Sequence, residues 1–204
     1  MNNTVLTEMQ KDALTEIFNI GMGRAAHSLS QMANDEITLT VPSLALASRK
    51  EACIVLSKTA GGRVCSVTQQ LKGDFTADAI LIFPEASSLS IVRLMVGDSY
   101  PGNLTEMEEE ALTEIGNIIL NACFGTLINM LGGEYHISLP TSKLGSCDDI
   151  LELENKGADE IVMLLYIDFV LKHRTIYGHV AILLEGDSMP NFVKKIQEFL
   201  GTYN

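Results

Sequence analysis

Glu16 and Asn19 stand three residues apart, and Glu114 and Asn117 repeat the pair at an offset of 98. An ionised carboxylate accepts hydrogen bonds and attracts cations, whereas a carboxamide is uncharged and both donates and accepts. Such a pair suits contact with a polar partner. No other set of side chains competes with it. His27, His136, His173 and His179 lack paired ligand spacing, and Ser57 and Ser66 have no arrangement that nominates a nucleophile. Gly21-x-Gly23 has no third glycine and follows no strand, and Gly61-Gly62 lacks the lysine and hydroxyl of a P-loop.

The element that must carry each pair is a long helix, and the chain contains that helix twice. LTEMQKDALTEIFNI from residue 6 and LTEMEEEALTEIGNI from residue 104 agree at 11 of 15 positions. At 3.6 residues per turn, Leu14, Ile17, Phe18, Gly21, Ala25, Ser28, Leu29 and Met32 form an inward stripe. Asp12, Glu16 and Asn19 fall on the opposite face at i, i+4 and i+7. The second copy places Leu112, Ile115, Ile119, Cys123, Leu127 and Met130 inward and Glu110, Glu114 and Asn117 outward. An outward asparagine is dispensable for packing, so replacing both is expected to move stability by only about 0.5 kcal/mol.

Capping-box patterns start the helices, Thr7-x-x-Gln10 and Thr105-x-x-Glu108. The first should run to about Ala33 and the second to Leu131, before Gly132-Gly133. Alternating strands follow at 36–41 and 134–139, each expected to end at a proline, Pro42 and Pro140. Hairpins are expected at 62–83, turning at Lys72-Gly73, and at 160–184, turning within 172–175. Short amphipathic helices close the halves at 87–97 and 188–200, with a turn-rich connection at 97–103. The expectation is an α/β (α+β) fold: one pseudo-twofold domain over 1–204, made of two α-β-β-α-type repeats at about 4–97 and 102–204 that share a sheet.

The chain is 47% hydrophobic and 20% charged, which suits a packed core. Its net charge of −12, with no Lys/Arg run, argues against nucleic acid and anionic membrane surfaces as partners. The N-terminus has no signal-peptide pattern, and the apolar run 161–171 is short and contains Asp168. Cys53, Cys65, Cys123 and Cys147 show no CxxC spacing and read as reduced thiols in a cytoplasmic protein.

Asp12-x-x-x-Glu16-x-x-Asn19, followed after 22 residues by Pro42, resembles the signature of the CheC/CheX/FliY chemotaxis phosphatases. Glu110-x-x-x-Glu114-x-x-Asn117, with Pro140 after 22 residues, resembles it again, although the family usually has Asp or Ser at the first position. NIGMGRAA from residue 19 and PTSKLG from residue 140 extend the likeness over nearly the whole chain. Two signatures and no flagellar-switch extension make the pattern similar to CheC-like members, whose two long helices lie beside a largely antiparallel sheet.

The resemblance implies hydrolysis of the aspartyl phosphate on a CheY-type receiver domain. Asn19 and Asn117 would orient the attacking water, as a glutamine does in GTPases. Glu16 and Glu114 would engage the receiver's active-site lysine, with Asp12 and Glu110 extending the polar contact and Gly23 allowing close approach. No intrinsic cofactor or metal is implied; Mg²⁺ would sit on the receiver's own carboxylates. CheD is a further partner implied by the family. Two other readings remain open: a non-catalytic adaptor binding CheY or CheD, related to the flagellar switch protein FliM, and an autonomous hydrolase using Glu16 and Glu114 in a concave pocket.

Overall fold

Thr7 caps the first helix through both halves of the box: its Oγ1 accepts from the Gln10 N–H, and Gln10 Oε1 accepts from the Thr7 N–H at 2.8 Å. The helix ends where Asn34 turns left-handed at φ 49°. The computed structural model describes residues 6–60, 62–96, 105–153, 157, 160–171, 174–186 and 188–201. Within them run α1 (Glu8–Ala33), β1 (Ile37–Ser48), α2 (Arg49–Ala60), β2 (Arg63–Lys72), β3 (Thr76–Pro84) and α3 (Glu85–Val96). The second half holds α4 (Thr105–Leu131), β4 (His136–Ile137), β5 (Thr141–Ser146), α5 (Cys147–Ile150), β6 (Ile161–Leu171), β7 (Arg174–Leu184) and α6 (Ser188–Gly201). The connection expected at 97–103, the side chains of the Thr105-x-x-Glu108 box and half of the 172–175 turn lie outside the described residues.

The strands form one sheet in the order β1-β6-β7-β3-β2-β4, with β5 also on β2, and every pairing is antiparallel. Each half lends its edge strand to the other half's hairpin: β1 pairs with β6, and β4 and β5 pair with β2. The pseudo-twofold runs between the central strands β3 and β7. Leu39 opposite Phe169 and Ile137 opposite Leu71 are the same contact seen in each half.

Strand alternation sends successive side chains to opposite faces. Leu81, Leu165, Ile167 and Phe169 point into the core under α1 and α4; Ile82, Leu164 and Ala181 join Leu56 of α2 and Leu151 beside α5 on the other face. Burying one such leucine or phenylalanine contributes about 1.5–3 kcal/mol. The two long helices also touch each other. A Cβ on Gly21 would lie 2.9 Å from the Cys123 Cα, so glycine there sets how closely α1 and α4 approach. Glu109–Leu131 is long and apolar enough to cross a membrane by length and composition, and 50% of that window is buried inside the protein.

Several expectations need correction. The strands do not stop at the prolines. β1 continues through Pro42 to Ser48, because its pairing with β6 shifts register between Thr40 and Ser43 and the proline sits in that irregularity. In the second half β4 is only two residues long, and the chain re-enters the sheet as β5 after Pro140. Helices α2 and α5 were not anticipated. Ser28 and Met32, placed inward by the helical wheel, are exposed, while Leu29 between them is fully buried and marks where the inward face lies at this end of α1.

Candidate functional site

Asp12 and Glu16 are exposed on α1, and among the described residues neither carboxylate has a partner. Asn19 behaves differently from the expectation of a free outward amide. It is half-buried, its Nδ2 donates to the Val41 carbonyl at 3.0 Å, and its Oδ1 accepts from the Val41 N–H at 2.8 Å. Val41 sits in the register shift, so Asn19 supplies both bonds that β6 does not. A backbone N–H must face oxygen and a backbone carbonyl must face nitrogen, so this geometry leaves one orientation for the amide. One Nδ2 hydrogen remains uncommitted among the described residues. Two hydrogen bonds thus fix an N–H donor one turn from an exposed carboxylate.

Ser30 makes the same kind of tie lower on the helix, accepting from the Ile37 N–H at 3.0 Å and donating to the Ile37 carbonyl at 3.3 Å. Ala26 is buried between these two contacts. The small residues after Asn19 therefore serve α1–β1 packing at Ala26 and Ser30. Gly23 does not: it is exposed, and a Cβ there would meet nothing within 4 Å.

On α4, Glu110 and Glu114 are exposed and unpartnered among the described residues, as at the first site. Asn117 is half-buried, but among the described residues no backbone group holds its side chain. Its Oδ1 accepts from Gln69 Nε2 at 3.2 Å and from Asn121 Nδ2 at 2.6 Å. Gln69 Nε2 also donates to the Ser138 carbonyl at 3.2 Å and lies 3.5 Å from Asn121 Oδ1. Leu139, the counterpart of buried Val41, is 87% exposed. The two asparagines are therefore displayed alike and anchored differently. Sequence reasoning missed Val41 and Gln69. The constant spacing from asparagine to proline pointed to the first, and a polar residue alternating with Val67 and Leu71 on the inward face of β2 could have pointed to the second.

The repeated Thr15 and Thr113 donate to carbonyls one turn back, Lys11 and Glu109, and so stay within their own helices. His27 contacts Gln31 on the surface, and His179 is buried beside Tyr166 with its pKa pushed down to about 4 by desolvation. Burial pushes the Cys53 and Cys123 thiols up to about 12, which leaves them poor nucleophiles. Among the described residues no group of three His, Cys, Asp or Glu side chains could hold a metal ion. The cavities lined by Cys65, Glu109 and Lys143, and by Arg49, Asp78 and Asp149, include none of Glu16, Asn19, Glu114 or Asn117.

The CheC-like family matches residues 9–45, a span that holds Asp12, Glu16, Asn19 and the Val41–Pro42 step that Asn19 binds. The CheY-P phosphatase CheC of Bacillus subtilis is 28% identical over 195 residues, covering 90% of this chain and 91% of that protein. The chain is similar to the CheC/CheX/FliY family in the helix and strand that carry the first site, and to CheC over most of its length. The flagellar motor switch phosphatase FliY of B. subtilis is 26% identical over 82% of the chain, which spans 43% of that longer protein. Thermotoga maritima FliY superposes with a TM-score of 0.77 over 98% of this chain and 100% of that one, at 23% identity. The FliM middle domain from H. pylori shares the fold at a TM-score of 0.71 and 11% identity, over 93% of this chain and 99% of that one. In this CheC-like chain, the 22-residue separation between Asn19 and Val41 lets α1 end and β1 return alongside it.

Proposed function

We propose that this chain accelerates hydrolysis of the aspartyl phosphate on a CheY-type receiver, with one site on α1 and a second on α4. The observation that carries the reading is the pairing, on both helices, of an exposed unpartnered glutamate with an anchored asparagine that keeps an N–H free. An acyl phosphate already has a good leaving group, so catalysis asks mainly for a water held in line with it. A neutral amide fixed by its other hydrogen bonds can orient that water without repelling the phosphoryl group. Glu16 and Glu114 are anions and suit a lysine of the receiver, so they dock the helix. Asp12, Glu110 and the open space at Gly23 extend the contact. Mg²⁺ belongs in this reading to the receiver.

The adaptor reading draws on the fold shared with FliM, but an adaptor has no use for an amide held with one donor uncommitted. The hydrolase reading finds no support in the cavities lined by Cys65, Glu109 and Lys143 or by Arg49, Asp78 and Asp149, neither of which includes Glu16 or Glu114. The test is phosphate release from a phosphorylated receiver under single-turnover and saturating conditions. The chain should accelerate release, and Glu16→Lys with Glu114→Lys should raise KM about tenfold or more, because two docking anions become cations facing a cation. Both positions are exposed, so the melting temperature should stay nearly constant. Acceleration that survives the double charge reversal would sink the docking assignment, and no acceleration by the unaltered chain would sink the phosphatase reading.

A further inference from the structure

We infer that Gln69 is the positioning residue of the second site, supplying from a side chain the amide contact that the Val41 backbone supplies at the first. The inference rests on the reading of Asn117 as a water-orienting amide. At the first site the β1 backbone reaches Asn19 directly. At the second, β4 ends at Ile137 and Leu139 is turned out to solvent, so the strand does not deliver its N–H to Asn117. Gln69 spans the gap, with its Nε2 bonded to both Asn117 Oδ1 and the Ser138 carbonyl.

The Ser138 carbonyl can only accept, and this fixes which end of the Gln69 amide faces the site. Gln69 Oε1 is thereby turned into the interior, where it is buried without a partner. Gln69 itself is 1% exposed. A buried acceptor with no donor destabilises the fold, and a side chain selected for packing alone would not carry one. The position 98 residues on is Ile167, 1% exposed in the same core and beside the bulge where Asn19 meets Val41. An apolar residue thus fits this place in the pseudo-symmetric half. Glutamine at 69 is explained by the two hydrogens it donates. With its oxygen held by Gln69 and Asn121, Asn117 leaves both Nδ2 hydrogens unpartnered among the described residues, where Asn19 leaves one.

The experiment uses Glu16→Lys, which disables docking at the first site without touching the bonds of Asn19, and adds Gln69→Ile. Phosphate release from a phosphorylated receiver, thermal unfolding and the side-chain amide resonances of Asn117 are then measured. The added change should lower kcat about tenfold or more while leaving KM in place, since a loosened water-orienting group loses alignment and Glu114 still docks. The melting temperature should stay level or rise, because the orphaned oxygen is gone, and the Asn117 amide signals should shift. An unchanged kcat, or a kcat loss that follows a falling melting temperature, would overturn the inference. If the unaltered chain releases phosphate and Glu16→Lys does not, the second site is idle and this inference fails while the phosphatase reading stands. If the unaltered chain itself releases none, it is the phosphatase reading that fails.

Discussion

Asn19→Ala and Asn117→Ala remove the same atoms from two copies of one motif, yet the structure requires their stability costs to differ. Asn19→Ala deletes the acceptor of the Val41 N–H and the donor to the Val41 carbonyl. Val41 is 1% exposed and unpaired with β6 at the register shift, so both groups lose their protein partner. An unmet buried backbone group costs about 1–3 kcal/mol. Pro42 beside it is exposed and lets water reach part of the gap, which brings the total to about 2 kcal/mol. For a chain of this length that is roughly 4–8 °C in melting temperature. Asn117→Ala removes only a side-chain acceptor; Gln69 keeps the Ser138 carbonyl, and the cost should stay under about 1 kcal/mol. Calorimetric or circular-dichroism melts of the two single variants give the comparison directly. Phosphate release measured well below both transitions then separates lost chemistry from lost folding. Equal shifts, or a larger one for Asn117→Ala, would refute the claim that Asn19 is part of the sheet's hydrogen bonding.

Two glycines on α1 should respond in opposite directions. Gly21→Val drives a branched side chain into the Cys123 backbone and should cost about 1–3 kcal/mol, whereas Gly23→Ala enters open space and should gain up to about 1 kcal/mol of helix propensity; thermal unfolding of both variants tests the pair. His179 gives a pH dependence. Its folded pKa of about 4 lies below the ordinary 6.5 because burial disfavours the imidazolium, so the unfolded chain binds more protons across that window. Stability from this group is complete above pH 6.5 and falls by roughly 3 kcal/mol as pH drops toward 4, a loss that should vanish from urea titrations of His179→Phe.

Much of the architecture was legible in the sequence, because it is written in local patterns. The Thr7 box and the inward stripe of Leu14, Ile17, Phe18 and Gly21 depend on spacing along one helix, and each appears where expected. The Lys72-Gly73 turn and the two hairpins are equally local. Exposure of Asp12, Glu16, Glu110 and Glu114 also follows from the helical period alone.

What lay beyond the sequence depends on which strand crosses to which half. A helical wheel assigns Asn19 to the polar face, and it has no means of knowing that β1 returns beside that face in need of two hydrogen bonds. The same wheel gives Asn117 an identical address. Only the sheet, in which β4 breaks off and β2 brings Gln69 under α4, makes the second anchor a side chain. The sequence determined that two Glu/Asn pairs would be displayed, because local periodicity sets which face a residue occupies. The tertiary structure decided how each asparagine is held, because hydrogen bonds across 22 and 48 residues exist only once the sheet has brought their partners together.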